Sequence, residues 1–165
     1  MIKVVFATSN TNPAAFGNND ELPWPHNKKD LELFKQETLG FDLIMGPGTF
    51  RSLPCILKDR KHIVILLENN KRPTNTILTK NGKPPHEIRY VKSYDDLSNL
   101  KNSAIIGGKD IILQAVNLAD LIIKTTIIGE FEHTVGFTKE ELKFNHKLKT
   151  VNYYDGFYVE FYTKE

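Results

Sequence analysis

Short and almost continuous apolar runs alternate with stretches of helical spacing along most of this chain. A strand buried on both faces produces such a continuous run, whereas a strand with one solvated face alternates apolar and polar residues. Strands of the first kind are typical of parallel sheets that helices cover. The apolar runs predict strands at residues 2–8, 42–45, 62–67, 87–91, 103–106 and 121–128.

The intervening stretches have the spacing of helices, which we predict at residues 28–39, 49–53, 95–100 and 109–118. Near the C-terminus, residues 150–154 and 157–163 flank Asp155 and Gly156, a pair typical of a two-residue hairpin turn. The sequence therefore predicts an α/β fold with a mostly parallel central sheet, flanking helices and a C-terminal antiparallel hairpin. Residues 9–21 and 69–85 are predicted to be loops.

Size and charge restrict the class of protein. A chain of 165 residues can bury one core but is too short for two ordinary domains, so we expect a single domain over residues 1–165. The formal net charge of +2 gives no reason to expect binding to nucleic acid or to an anionic membrane. Cys55 is the only cysteine, no apolar stretch could cross a bilayer, and the 5 histidines lack ligand spacing. We expect a cytoplasmic protein without a bound metal.

One carboxylate is predicted to lie on the inward face of the first helix. Asp30 stands one turn before Phe34 in a helix that begins just after Trp24. In an apolar pocket, desolvation raises the pKa of such an acid, and a protonatable heterocycle would be a suitable ligand. The spacing also fits a structural role, in which Asn27 caps the helix and Asp30 favours its positive N-terminal end.

Four motifs resemble the dihydrofolate reductase family in order and spacing, and the likeness is strongest to the divergent forms of large tailed bacteriophages. These motifs are Leu43-Ile44-Met45-Gly46, Thr49-Phe50-Arg51-Ser52-Leu53-Pro54, Arg60-Lys61-His62-Ile63-Val64-Ile65 and Ala104-Ile105-Ile106-Gly107-Gly108. The resemblance covers nearly the whole chain. It implies a single-domain dihydrofolate reductase-like fold and an enzyme that reduces 7,8-dihydrofolate to tetrahydrofolate for one-carbon metabolism. In that reaction NADPH delivers a hydride to pterin C6, and N5 is protonated.

The resemblance also implies roles for individual residues. Asp30 would favour protonation of N5 through water, within a catalytic set of Asp30, Trp24, Thr125 and Leu22. Arg60 would grip the α-carboxylate of the glutamate tail, because a guanidinium can hold a carboxylate bidentately. The apolar substrate wall would consist of Val5, Ala7, Leu31, Phe34, Leu53, Leu57 and Ile106. Cofactor contacts would come from Ala7, Phe16, Gly17, Gly46, Thr49, Gly107, Gly108, Lys109, Asp110 and Ile111. Any apolar member of these sets could otherwise be plain core, and Arg60 could be a solvated surface residue.

Several positions depart from the family pattern. Pro47 replaces an arginine, and Leu66 and Leu67 replace serines, at positions that normally recognise the 2′-phosphate of NADPH. Residues 69–72 could supply replacement donors and charge, whereas Glu68 could accept hydrogen bonds from the free ribose of NADH. We expect NADPH, with NADH as the alternative.

Two further departures lie outside the nucleotide site. Lys58 and Asp59 replace the usual Pro-Gly before Arg60. Thr134 stands where some members have an aspartate that pairs with the lid segment, which we define as residues 9–22. The lid is therefore expected to be held differently from that of typical bacterial enzymes.

Two other interpretations remain open at this level. A reductase-fold protein with a decayed cofactor site could be a structural or binding component of an assembly, although such a protein would not need to retain Trp24, Asp30, Arg60 and Thr125. A pyrimidine reductase of riboflavin synthesis shares the fold but lacks the arrangement of Trp24 and Asp30. The expected partners are dihydrofolate, NADPH and antifolates, and the expected state is a monomer in the cytoplasm, or in the host cytoplasm if a phage encodes it.

Overall fold

One sheet of eight strands organises the molecule. The computed structural model describes residues 1–164. Its strands are β1 (Ile2–Ser9), β2 (Ala14–Gly17), β3 (Asp42–Met45), β4 (His62–Leu67), β5 (Glu87–Val91), β6 (Ser103–Gly107), β7 (Leu121–Ile127), β8 (Val135–Phe137), β9 (Lys147–Tyr154) and β10 (Phe157–Thr163). Its helices are α1 (Lys28–Thr38), α2 (Pro47–Ser52) and α3 (Lys109–Ala115), with 3-10 turns at Thr74–Thr76 and Tyr94–Asn99.

The strand order of the main sheet is β5-β4-β3-β6-β1-β7-β10-β9. Every pairing from β5 to β7 is parallel, whereas β10 runs antiparallel to both β7 and β9. The predicted fold class is confirmed, including the C-terminal hairpin. None of the helices within residues 1–164 has the length and apolar character needed to cross a bilayer.

The two faces of the sheet carry two separate cores. Successive side chains of a strand point to opposite faces, so Val4 and Phe6 of β1 join one core and Val5 joins the other. The first core packs against α3, and the second packs against α1 and α2. Because central strands contribute to both cores, their sequences are continuously apolar, as predicted.

Local predictions were wrong in several places. The predicted loop at residues 9–21 contains β2, which pairs antiparallel with β8, a strand that was not predicted. The predicted helix at residues 95–100 is a 3-10 turn, and α3 ends at Ala115 rather than at residue 118. The helix predicted from Thr49 begins at Pro47, because proline suits the first turn, where its missing N–H costs nothing.

Asn27 determines where α1 begins. Its backbone is extended, with φ −124°, and its side-chain oxygen accepts a hydrogen bond of 3.0 Å from the backbone N–H of Asp30. This bond satisfies one of the amide groups that the first turn of a helix leaves unpaired. The predicted cap is therefore present, and the same bond fixes the backbone from which the Asp30 side chain extends.

We predict that Asn27→Ala lowers the free energy of unfolding by about 1 kcal/mol, because the first turn of α1 loses its capping acceptor. Asn27→Asp retains an acceptor oxygen and is expected to stay close to the wild type. Urea unfolding followed by circular dichroism measures both variants. Equal stability of the wild type and Asn27→Ala would contradict the capping role.

Candidate functional site

A cleft of about 1030 Å³ opens on the sheet face that packs against α1. Strands β1 and β7 contribute Val5, Ala7, Ile123 and Thr125, while α1, α2 and the lid segment contribute the sides. A mostly apolar cleft of this size can accommodate a drug-sized molecule together with part of a second one. All twelve residues predicted for the catalytic and substrate sets line it: Val5, Ala7, Leu22, Trp24, Asp30, Leu31, Phe34, Leu53, Leu57, Arg60, Ile106 and Thr125.

The carboxylate of Asp30 lies in this cleft beside the hydroxyl of Thr125. Burial raises the pKa of Asp30 above its usual value, and a hydrogen bond with the Thr125 side chain lowers it by a smaller amount. Thr125 of β7 stands directly opposite Ala7 of β1, so the sheet register places both on the cleft face. A partly desolvated acid therefore faces the cleft, and it can accept hydrogen bonds or exchange a proton with a ligand.

Three other carboxylates also line the cleft, on Asp20, Glu21 and Glu37. Asp20 and Glu21 are exposed residues of the lid segment, and the Glu21 carboxylate lies 3.4 Å from the Lys80 ammonium. Glu37 is paired with Lys3 at 3.4 Å. Asp30 is thus the acid of this group whose carboxylate bonds the hydroxyl of Thr125 in β7.

Trp24 forms part of the wall of the same cleft. It is 5% exposed, and its ring packs edge-on against Phe131 with 6.1 Å between centroids. Its indole N–H is buried and has no hydrogen-bond partner among the protein atoms of residues 1–164. Buried indole N–H groups are normally paired, so this donor suits a polar atom of a ligand or of an ordered water.

Arg60 lines the cleft at the far end of α1. It is 9% exposed, so it is not a solvated surface residue. Its Nε donates to the carbonyl oxygen of Lys58 at 3.0 Å, and its Nη1 donates to Oγ1 of Thr38 at 2.9 Å. Burial lowers the pKa of Arg60 and the charge of Asp59 raises it, but a guanidinium remains cationic at any physiological pH. The cleft therefore contains a fixed positive charge that retains free N–H donors for an anion.

The turn before Arg60 has Asp59 where the family resemblance leads one to expect a glycine. Asp59 has φ +63°, which lies in the left-handed region. Aspartate tolerates this conformation better than most residues, because its short polar side chain can bond locally. The exchange of Pro-Gly for Lys58 and Asp59 is thus compatible with the turn.

Two glycine segments meet beside the part of the cleft that Phe16 and Thr49 line. The backbone N–H of Gly46 donates to the carbonyl oxygen of Gly107 at 2.8 Å. Gly107 has φ +152°, and a Cβ there would lie 2.8 Å from Oγ1 of Thr49 and 3.4 Å from Cζ of Phe16. Only glycine fits this close approach. Phe16, Gly46, Thr49 and Gly107, all predicted to contact a cofactor, are therefore neighbours.

The predicted cofactor residues divide into two groups. Those lining the cleft are Ala7, Phe16, Gly17, Thr49, Gly108 and Lys109. Gly46, Gly107, Asp110 and Ile111 are not among the lining residues. Ile111 is buried, and its Cδ1 would lie 3.2 Å from a Cβ at Gly46, so it packs behind that glycine.

The positive charge of Lys109, a predicted cofactor residue, is shared with neighbouring groups of the protein. The Lys109 ammonium lies 3.2 Å from a Glu141 carboxylate oxygen and 5.6 Å from the centre of the Phe137 ring, so part of its charge is already neutralised. Leu66 is 2% exposed and cannot contact a phosphate, whereas Lys71 and Arg72 beyond β4 are exposed.

Strand β10 supplies cleft residues that the sequence analysis missed. Val159 pairs with Thr125, and Phe161 pairs with Ile123, so both point to the cleft face and line it. The alternation within β10 was visible in the sequence, but the face that it presents depends on the register with β7.

Thr134 connects the lid segment to the chain before β8. Its backbone N–H donates to the carbonyl oxygen of Gly17 at 2.9 Å, and its Oγ1 accepts a hydrogen bond of 3.0 Å from the backbone N–H of Asn19. Gly17, Asn19 and Thr134 all line the cleft. A hydroxyl thus holds the lid at the position where an aspartate was expected.

Known proteins resemble this chain over most of its length. A family model described as "Dihydrofolate reductase" matches residues 1–155. A dihydrofolate reductase of Mycoplasma genitalium is 30% identical over 159 residues, which cover 94% of each chain. One of Mycoplasma pneumoniae is 30% identical over 133 residues, or 79% of each chain. A solved dihydrofolate reductase from Enterococcus faecalis, complexed with NADP(H) and RAB-propyl, is similar to this chain with a TM-score of 0.75 and 20% identity. The match covers 99% of this chain and 95% of the Enterococcus chain, and it establishes the fold.

We predict that Thr134→Val loosens the lid, because the Asn19 N–H loses its acceptor while the side-chain volume is kept. Hydrogen exchange of that amide, measured by NMR, should accelerate about two- to fivefold, as expected for one hydrogen bond at the surface. Thr76→Val, which removes a hydroxyl that donates to Pro73 at 2.7 Å away from the lid, is the matched control. Unchanged exchange at Asn19 would show that Thr134 does not restrain the lid.

Proposed function

The chain belongs to the dihydrofolate reductase family, and on this basis we propose that it reduces 7,8-dihydrofolate to 5,6,7,8-tetrahydrofolate with NADPH. The observation that carries the proposal is the partly desolvated Asp30 carboxylate, which bonds Thr125 in the cleft that Trp24 also lines, with an indole N–H that has no partner among residues 1–164. A pterin is a protonatable heterocycle with several N–H donors, and it matches this set of groups.

Asp30 binds the pterin by accepting hydrogen bonds from the ring. Held beside the ring in its charged form, the carboxylate favours protonation of N5 through water. Thr125 orients the carboxylate through their hydrogen bond, and the Trp24 N–H holds a water or a pterin oxygen beside it. Bound NADPH supplies the hydride that C6 receives.

The rest of the substrate follows the cleft from Asp30 to Arg60. Leu31, Phe34, Leu53 and Leu57 line this path and pack against the pterin and benzoyl rings. Arg60 binds the α-carboxylate of the glutamate tail with the N–H groups that Lys58 and Thr38 leave free. The support for this role is that Arg60 is a cation held within the cleft wall.

The two glycine segments are suited to the cofactor. Gly46 and Gly107 permit a close backbone approach beside Thr49, and Phe16 closes the same region. This intact glycine contact disfavours the alternative of a decayed site in an assembly component. We assign recognition of the 2′-phosphate to Lys71 and Arg72, because Leu66 is buried and Pro47 carries no charge.

Several finer expectations belong to the same proposal. Residues 1–165 act as one domain, and the enzyme works as a monomer in the cytoplasm, or in the host cytoplasm if a phage encodes it. The exposed and unpaired Cys55 suits a reducing compartment. Antifolates that carry a protonated heterocycle bind by pairing with the Asp30 carboxylate.

We predict that Asp30→Asn reduces kcat with dihydrofolate and NADPH at least about 100-fold, the usual contribution of a positioned acid or base. The rate is followed by the loss of NADPH absorbance. Glu32→Gln, an exposed position of the same helix, serves as the control and should retain activity. Full activity of Asp30→Asn would remove Asp30 from the mechanism, and no activity in the wild type would overturn the proposed function.

The same variant should be more stable than the wild type at pH 7. Burial raises the folded-state pKa of Asp30 above the unfolded-state value of 3.8. The free energy of unfolding of the wild type therefore falls as the pH rises from 3.8 through the folded-state pKa, because the buried carboxyl must ionise. Asparagine stays neutral and avoids this loss. The difference in the free energy of unfolding should therefore vanish below pH 3.8, and a difference that is independent of pH would contradict the desolvation of Asp30.

We predict that kcat/KM is higher with NADPH than with NADH, and that Arg72→Gln reduces the ratio between them. The reason is that the exposed Arg72 guanidinium can pair with a phosphate that NADH lacks. Arg89→Gln is the control, because that guanidinium is already held by Glu87 at 2.7 Å. A preference for NADH would refute the cofactor assignment.

A further inference from the structure

Both ring nitrogens of His62 are used inside the turn that presents Arg60. The side chain is completely buried, at 0% exposure. The backbone N–H of Leu57 donates to Nε2 at 3.0 Å, and Nδ1 lies 3.0 Å from the carbonyl oxygen of Arg60. A carbonyl can only accept, so Nδ1 carries the proton and Nε2 offers its lone pair. The imidazole is therefore neutral and held in one tautomer.

The two backbone groups that His62 joins belong to residues that line the cleft. Leu57 and Arg60 both do so, with a turn through Lys58 and Asp59 between them. The distance across this turn sets how far the Leu57 side chain stands from the guanidinium. His62 spans the turn from within, so it determines that spacing.

His62 is itself fixed by its surroundings. It is the first residue of β4, its backbone N–H donates to Nδ1 of His86 at 2.8 Å, and its carbonyl oxygen accepts from the His86 N–H at 3.1 Å. Its ring packs edge-on against Phe50, with 6.2 Å between centroids. Burial lowers the pKa of His62, which supports the neutral form that both ring bonds require. The sheet therefore fixes the position of the His62 ring, and the ring fixes the turn between Leu57 and Arg60.

We propose that His62 is a positioning residue for the carboxylate tail of the substrate, acting through Arg60 and Leu57. This inference rests on the proposed function, because it specifies how the glutamate end of dihydrofolate is recognised. A bidentate guanidinium contact needs alignment that a small displacement destroys. His62 has no such influence on the pterin end, where the reactive ring meets Asp30 of α1 and Thr125 of β7.

The test compares two substrates that share the pterin. One is 7,8-dihydrofolate, and the other is 6-methyl-7,8-dihydropterin, which lacks the benzoylglutamate tail. His62→Leu removes both ring hydrogen bonds and should raise KM for dihydrofolate about tenfold, equivalent to about 1.4 kcal/mol. Its kcat with either substrate, and its KM for the methylpterin, should stay within about twofold of the wild type.

Two conservative variants each keep one of the two ring hydrogen bonds, so they separate the contributions of the bonds. They also keep the proposal testable if His62→Leu does not fold. His62→Asn keeps a donor near Nδ1, and His62→Gln keeps an acceptor near Nε2, so each should raise KM for dihydrofolate by less than the leucine variant does. His146→Leu is the matched control, because His146 bonds the Ala119 carbonyl at 2.7 Å away from the cleft. That variant should leave both KM values unchanged.

A double-mutant cycle separates positioning from general stability. Because His62 acts on the tail through Arg60, adding His62→Leu to Arg60→Leu should raise KM for dihydrofolate by far less than it does in the wild type. Full additivity would overturn the proposal. So would equal KM increases for both substrates, unchanged KM in all His62 variants, or failure of all three variants to fold. A wild type that reduces neither substrate would instead refute the proposed function.

Discussion

A carboxylate held against the sheet and away from bulk water is the interaction on which the site depends. Taking the Asp30 charge out of water is unfavourable, and the Thr125 hydroxyl compensates only in part, as the raised pKa of this acid records. Such a group is retained when a ligand completes its hydrogen bonds. The Trp24 N–H lies in the wall of the same cleft and is buried with no partner among the protein atoms of residues 1–164, so two polar groups of one apolar cleft are available to a ligand or to water.

The remaining parts of the site take their positions from the same sheet. Strands β1 and β7 align Ala7 with Thr125. Strand β6 ends at Gly107, and β3 ends one residue before Gly46, which bonds Gly107 beside the cleft. At the opposite side, β4 begins at His62, whose ring fills the turn before it. The pterin and nucleotide regions of the proposed site are therefore set by the carboxyl ends of neighbouring strands, where a parallel sheet normally carries its ligands, whereas the tail region lies at the start of β4.

The sequence predicted the central sheet well, because strands buried on both faces produce an unambiguous pattern. The bounds of β3, β4 and β5 match the predicted runs. The pairing of β2 with β8 was missed, since it joins two very short segments that lie far apart in the chain. The resemblance named many of the residues that line the cleft, but it could not reveal the role of His62, which depends on two backbone partners, nor that Asp59 adopts the left-handed conformation.

The most direct test of this account is a carbon-13 NMR titration of the Asp30 carboxyl, performed with the free protein and with folate bound. In the free protein the pKa should lie above 3.8, because the carboxyl is partly desolvated. With folate bound the pKa should fall, because the pterin N–H groups donate to the charged form. A pKa of 3.8 in the free protein that folate leaves unchanged would contradict the account.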